Sequence, residues 1–375
     1  MIPEQPNKPR PADFHIVDLF AGPGGLDVAA HALGVPSTGI EWDSGAVATR
    51  TSAGLATVAK DVLECSPEQF PEANVLAGGP PCQTFTVAGH GAGRRDLDTV
   101  LAFVQRLVDR DKWANIETDL VKLDPRTRLV LQPLRWALEA IDNPDLRPYE
   151  AIVLEQVPAV LPVWEKYAQA LESEGYRTDF DVLRTEEFGV PQTRRRAVLI
   201  ARRGDKPVKL PAPTHCRYRS GVEAPHDDLA LSESPLKMWV SMAQALPNRH
   251  GPFTVISNYS TGGVSSNRGR RHSHQPSATV TGKVSRNRVV APDGTDLPRF
   301  TFAEAGLLQT FPAAYPWSGT DISQQIGNAV PPRLGIYIIS AALGLGRPTN
   351  ADLARLTSWT PPARNAHDST ESTGL

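Results

Sequence analysis

The pattern of apolar positions divides the chain near residue 203. Before that point, apolar runs at His15–Leu19, Ser37–Ile40, Val75–Ala77, Ala151–Leu154 and Ala197–Ala201 read as buried parallel strands. A strand covered on both faces is apolar at nearly every position, not at every second one. Amphipathic stretches of helical period lie between them, at Leu97–Asp109, Thr127–Ile141 and Val163–Glu174. Strand alternating with helix predicts an α/β fold, a doubly wound and mostly parallel sheet. Residues 204–298 are rich in Gly, Pro, Ser, Asn and Arg, with short β-like runs at Phe253–Ser257, Ala278–Thr281 and Arg288–Val290. They are expected to form a second, smaller domain of strands and loops. Helical pattern returns at Thr301–Gln309 and Ser323–Gly344, the latter apolar enough to pack back onto the first domain. The expected division is 1–203, 204–298, a closing segment 299–346 and a flexible tail 347–375, with residues 1–13 also loose.

Composition narrows the setting without changing that picture. With 375 residues and 40% hydrophobic residues, the chain can bury a substantial core. The formal net charge of -2 means that any nucleic-acid site must be a local patch. Cys65, Cys82 and Cys216 lie far apart, a pattern of neither a disulfide framework nor a zinc cluster, and no metal is expected. Met1–Ala12 is polar and proline-rich, unlike a signal peptide, and the apolar run Leu334–Leu345 is too short to span a bilayer. A cytoplasmic, monomeric protein with no membrane partner is the expectation.

The first candidate site is the glycine turn in Ile16–Asp27, I-V-D-L-F-A-G-P-G-G-L-D. Glycines let a ligand approach the backbone, and the following helix N-terminus favours an anion. The dinucleotide pattern G-x-G-x-x-G fits poorly, since Asp27 stands at its third position. A ligand without a pyrophosphate suits the turn better, and S-adenosylmethionine leads. Glu41 and Asp43 stand where an acid takes ribose hydroxyls, and Asp61 where one accepts from an adenine amine. A purely structural turn is the competing reading.

The second is Leu76-Ala-Gly-Gly-Pro-Pro-Cys-Gln-Thr-Phe-Thr, in which glycines and prolines present Cys82 at the carboxyl end of the sheet. Most free cysteines are inert small hydrophobes, but Cys82 has glycine, proline and polar neighbours. Arg94 and Arg95, in the cationic stretch beyond it, could hold a phosphate or simply be solvated.

Gly78–Gln83 resembles the Pro-Cys motif of the DNA cytosine-5 methyltransferases, and Asp18–Gly25 resembles their cofactor loop. Four more segments are similar to that family's motifs in the family's order: Leu154–Pro158, Gly189–Ile200, Arg299–Pro312 and Gln325–Pro332. The matches run from about residue 15 to 335, leaving 204–298 without strong motifs. Where the family usually has Asn after its catalytic Glu, this chain has Gln156, whose longer amide could still hold the cysteine loop.

The resemblance implies a Rossmann-like methyltransferase fold with a target-recognition domain, S-adenosylmethionine as cofactor and double-stranded DNA as partner. A cognate restriction enzyme is a further partner it allows. It implies Cys82, Glu155, Arg194 and Arg196 as catalytic residues, with Gln83 and Gln192 facing substrate. It implies Phe20, Gly22, Gly24, Gly25, Glu41, Trp42, Asp61 and Asn328 around the cofactor. In such chemistry a thiolate adds to cytosine C6 and turns the ring into an enamine, activating C5. A carboxyl group beside N3, here Glu155, donates a proton or hydrogen bond, whereas without the resemblance it reads as a strand-end ion pair. Gln192, Arg194 and Arg196 alternate along a strand and should share one face, where an arginine could clamp the base O2. A base inside a duplex is out of reach, so the target must be flipped out. The zinc deaminase pattern P-C-x-x-C is missing, since Gln, Thr and Phe follow Cys82.

From Arg249 to Val290 there are seven Lys or Arg and no Asp or Glu. Such a patch is a footprint for phosphates and base edges, or else a solvated loop. Arg268, Arg270, Arg271, Arg286 and Arg288 are its candidate DNA contacts, and Thr279-Val280 resembles the family's recognition element. The tRNA-acting relatives' Cys-Phe-Thr tripeptide is not found, which favours DNA. A catalytically silent DNA-binding homologue and a dehydrogenase are the alternative readings.

Overall fold

The computed structural model describes residues 9–81, 92–120, 127–221, 236–260 and 268–362. The first half follows the expected alternation: β1 (Ile16–Leu19), α1 (Gly25–Leu33), β2 (Ser37–Ile40), α2 (Ser44–Ala53), β3 (Thr57–Val58), β4 (Val75–Gly78), α3 (Ala92–Val108), α4 (Trp113–Leu120), α5 (Thr127–Val130), α6 (Gln132–Asp142), β5 (Ala151–Gln156) and α7 (Leu161–Ser173). Then come β6 (Tyr176–Arg184), β7 (Gln192–Thr193) and β8 (Arg195–Arg203).

Seven of these strands form one sheet in the order β3-β2-β1-β4-β5-β8-β6. Neighbours from β3 to β5 are parallel, while β8 runs antiparallel to both β5 and β6. The chain winds outward from β1 to β3 and returns beside β1 as β4. The order therefore reverses between β1 and β4, and ligands of open α/β sheets bind at the carboxyl ends of such strands. The glycine turn leaves β1 there, and the cysteine loop leaves β4.

β6 has only one fully buried position in nine, so no apolar run marks it. The stretch Thr127–Ile141 is two helices instead of one, with Pro133 in the first turn of α6.

The second sheet has the order β10-β9-β12-β13, built from β9 (Thr254–Ser260), β10 (Arg268–His272), β12 (Arg288–Val290) and β13 (Asp296–Leu297). Between β10 and β12, β11 (Ser277–Ala278) pairs in parallel with β7 of the first domain. The core under this sheet holds Val255 and Val289 with Met242 and Leu246 of the α8 region (Met242–Ala245), but also Ala305 and Leu308 of α9 (Phe302–Leu308) and Ile326 of α10 (Ile322–Asn328). The closing segment is thus shared. Its first two helices complete the small sheet's core, and only α11 (Pro332–Leu343) packs on α1 in the large sheet's own core. Pro331 and Pro332 break the expected single helix at this change of partner.

The expectation of a loose tail from residue 347 is corrected over 347–362. Thr349 caps α12 (Asn350–Arg355), and Leu356 is buried among residues of α1 and α11. Residues 363–375 lie outside the described residues. Among the described residues no helix is long and apolar enough to cross a membrane, and no group of His, Cys, Asp and Glu could hold a metal ion.

Candidate active site

The glycine turn follows β1 through three residues of positive φ: Phe20 at 62°, Gly22 at 55° and Gly24 at 101°. For a phenylalanine that conformation is costly and persists only where its surroundings over-determine it. The three glycines serve different ends. A Cβ on Gly25 would stand 2.2 Å from the Val330 carbonyl oxygen, and one on Gly24 2.3 Å from Leu55 Cδ1 and 3.0 Å from the Tyr315 hydroxyl. Those two positions admit the closing segment. Gly22 alone faces open space, so it is the glycine over which a ligand can approach.

Glu41, at the end of β2, is buried and accepts from the Gly22 amide at 2.8 Å and from the Trp42 and Asp43 amides at 2.9 and 2.8 Å. Burial raises its pKa, and these three donors pull the other way. A cleft of about 160 Å³ opens beside it, lined by Phe20, Ile40, Trp42, Lys60, Asp61, Val62, Arg128 and Leu129. Trp42 is 69% exposed, and Asp61 accepts from the Leu63 amide at 3.0 Å. Three expected cofactor residues, Phe20, Trp42 and Asp61, therefore share one mostly apolar slot. Sequence reasoning missed Arg128 and Leu129, which sat unremarked inside a stretch taken for one amphipathic helix.

Asp27, the residue that spoils the dinucleotide pattern, has a structural task. Its carboxylate pairs with the fully buried Arg50 at 2.7 Å and accepts from the Ser37 hydroxyl at 2.9 Å. Arg50 also donates to Thr57 Oγ1 and to the Ala56 carbonyl, so it binds α1 to α2 and β3.

On the β4 side, Cys82 and Gln83 lie outside the described residues. So do the side chains of Arg94 and Arg95, which fall at the start of α3. The loop can be followed to Pro81, and what holds it is visible. Gln156 Nε2 donates to the Pro80 carbonyl, while its Oε1 accepts from the Val157 amide at 2.6 Å. Glu155 is buried at the end of β5, its Oε2 lying 3.9 Å from where a Gly79 Cβ would stand. Arg196 Nε approaches Glu155 Oε1 at 2.7 Å. The two side chains thus form a largely buried ion pair at the end of β5. Burial lowers the Arg196 pKa and the Glu155 charge opposes that shift.

Gln192, Arg194 and Arg196 do not share one task, as strand alternation predicts. The strand breaks at Arg194, between β7 and β8. Arg194 is fully buried and donates to the carbonyls of Val280 (3.1 Å), Gly327 (2.9 Å) and Ala329 (3.3 Å). Gln192 donates to Leu308 O and Gln309 Oε1 and accepts from the Val280 amide. Both side chains are occupied in tying the recognition domain and closing segment to the sheet. The sequence reading expected both to face substrate, whereas here their side chains bond to the closing segment and Val280, and Arg196 forms the ion pair with Glu155. Thr279 likewise spends its hydroxyl on the Thr193 carbonyl at 2.9 Å. Asn328 is exposed and accepts from Gln324 Nε2 at 2.7 Å.

The recognition arginines divide. Arg270 and Arg288 flank Ile256 on one face of the small sheet, and Arg288 is paired with Asp296 at 2.9 Å. Arg271, on the opposite face, stacks on Tyr218 at 4.8 Å. Arg268 is half-buried, while Arg270 and Arg286 are exposed with no ion pair among the described residues.

The family model for C-5 cytosine-specific DNA methylase matches residues 14–112 and 150–343. The chain belongs to that family. It is 27% identical over 296 residues to the Type II methyltransferase M1.HphI of Haemophilus parahaemolyticus, covering 72% of this chain and 68% of the relative. To the Type II methyltransferase M.Sau96I of Staphylococcus aureus it is 26% identical over 355 residues, covering 87% and 75%. The solved Dnmt2 methyltransferase of S. pombe superposes with a TM-score of 0.56 at 18% identity, over 88% of this chain and 99% of that one. The protein is a DNA cytosine-5 methyltransferase with restriction–modification relatives, and its family implies S-adenosylmethionine as methyl donor and DNA as substrate. The dehydrogenase alternative falls with this result.

Proposed function

We propose that the protein methylates C5 of a cytosine flipped out of double-stranded DNA at a specific sequence, through a covalent bond between Cys82 Sγ and C6. The observation that carries this reading is the Glu155–Arg196 pair beside Gly79, at the root of the loop that leads to Cys82. Cytosine C5 is a poor nucleophile until the thiolate adds at C6. Glu155, buried and paired with Arg196, holds a proton or hydrogen bond at N3 as charge develops there. Arg196 orients that carboxyl group and faces O2 of the base. C5 then attacks the methyl group, the C5 proton leaves to a base, and the thiol is eliminated.

S-adenosylmethionine, when bound, supplies an electrophilic methyl on its sulfonium. The open face at Gly22, the Glu41 carboxylate and the slot of Phe20, Trp42 and Asp61 fit its amino-acid, ribose and adenine parts in turn. Arg270 and Arg286 are the freest candidates for DNA contact. The Type II names of the relatives support a modification enzyme with a cognate restriction enzyme as its counterpart. The test is transfer of tritiated methyl to duplex DNA, followed by bisulfite sequencing of the product. Label at a single cytosine context supports the reading, and DNA binding without label supports a silent homologue.

A further inference from the structure

The family match ends at residue 343, yet the described chain continues to residue 362 along the glycine-turn side of the sheet. Arg355 Nη1 donates to the Ala32 carbonyl at 2.9 Å, near the end of α1. The Trp359 indole donates to the Ala53 carbonyl at 3.2 Å, at the last residue of α2. Its ring centroid lies 5.3 Å from His31 and 5.3 Å from Tyr315. This strap thus ties down the far ends of the two helices whose near ends carry the glycine turn and the Glu41–Trp42 segment. Tyr315 completes the path. Fully enclosed between Phe311, Trp317 and Trp359, it donates its hydroxyl to the Pro23 carbonyl inside the turn.

We propose that Trp359 and Tyr315 are positioning residues through which the C-terminal strap holds the glycine turn in the shape that S-adenosylmethionine needs. The proposal rests on the assignment of that turn to S-adenosylmethionine. Its physical basis is the run of positive φ at Phe20, Gly22 and Gly24, which the surroundings must enforce. Releasing the brace lets the turn relax and lowers the fraction of binding-competent molecules. Apparent affinity falls by that fraction, whereas turnover at saturating cofactor does not.

The experiment is calorimetric titration of S-adenosylmethionine into the full-length wild type and the Trp359→Ala, Trp359→Phe and Tyr315→Phe variants, with kcat measured at saturating cofactor. Trp359→Ala and Tyr315→Phe should weaken binding about tenfold with kcat within about twofold, as a competent fraction near one in ten requires. Trp359→Phe, which keeps a ring beside His31 and Tyr315 but loses the donor to the Ala53 carbonyl, should fall between the wild type and Trp359→Ala. Folded variants whose affinity is unmoved overturn the proposal, as does a parallel loss of kcat and DNA affinity with cofactor binding intact. If Trp359→Ala does not fold, Tyr315→Phe, which removes one oxygen, decides alone. A wild type that binds no S-adenosylmethionine overturns the assignment of the turn instead, so the two failures are distinguishable.

Discussion

Arg194 and Arg196 stand two residues apart and should fail in different ways. Arg194→Met removes three hydrogen bonds from a charged donor and strands the carbonyls of Val280, Gly327 and Ala329. At roughly 1.5–3 kcal/mol for each bond to a charged group, the gross loss is about 4–9 kcal/mol. Burial, with Arg196 nearby, pulls the Arg194 pKa from 12.5 down to about 9, so keeping the cation there offsets part of that loss. A net loss of a few kcal/mol remains, at about 2–4 °C of melting temperature for each kcal/mol. The loss should fall on the junction of recognition domain and sheet, so DNA affinity should drop with stability. Arg196→Met leaves the buried Glu155 carboxylate unpaired and so also loses melting temperature, but its defining loss should be in the chemistry, with DNA affinity kept. Differential scanning fluorimetry alongside single-turnover methylation separates the two. If Arg194→Met kept the wild-type melting temperature and lost kcat, Arg194 would be touching the base, and the division of labour drawn here would be wrong.

Gln156→Ala should lower kcat by about tenfold with little change in KM for DNA, since it frees the Pro80 carbonyl and thereby the cysteine loop, while Gln156→Asn should recover most of the rate; a large loss on Gln156→Asn would mean that the loop has been rebuilt around the longer amide. Asp18 has a pKa held well above the ordinary 3.8, first by burial, then by Asp27, against the pull of Arg50. Such a group contributes its full stability below the ordinary value and loses it as pH rises through the folded value, so Asp18→Asn should melt higher than wild type at neutral pH and lack that slope. Melting curves taken from about pH 4 to about pH 8 check this, and an Asn variant that is less stable at neutral pH contradicts it. Arg270→Ala and Arg286→Ala should weaken DNA binding more than Arg288→Ala, whose partner is Asp296. A phosphate contact would flatten the log affinity–log salt slope by about one, and a guanine contact would cost about 1–3 kcal/mol on the target alone.

Legibility in the sequence followed burial. Strands β1, β4, β5 and the middle of β8 are apolar because both faces are covered, so their runs stood out. β6 is the sheet's edge strand, with charged residues at intermediate positions, and no run marked it. Glu41 and Asp61 were candidates because each follows a strand's carboxyl end, where topology places ligands, whereas Phe20, Trp42 and Glu155 came from the family resemblance. Strand alternation places Arg194 and Gln192 on a face without saying what covers that face. Here a second domain and the closing segment cover it, through contacts more than 80 residues away in sequence. The Thr349–Pro362 strap was hidden by composition, for its Pro, Asn and Thr residues read as tail while Leu356 and Trp359 did the packing.

The central claim is the bond between Cys82 and cytosine C6, and 5-fluorocytosine tests it most directly. Fluorine at C5 cannot leave as the proton does, so after methyl transfer the enzyme cannot be released by elimination. With S-adenosylmethionine and a duplex carrying 5-fluorocytosine at the target, the wild type should form a complex that survives denaturing electrophoresis. Cys82→Ala should form none while still binding the duplex. A wild type that methylates the ordinary duplex yet yields no trapped complex, or a Cys82→Ala variant that keeps a tenth of the wild-type rate, contradicts the account.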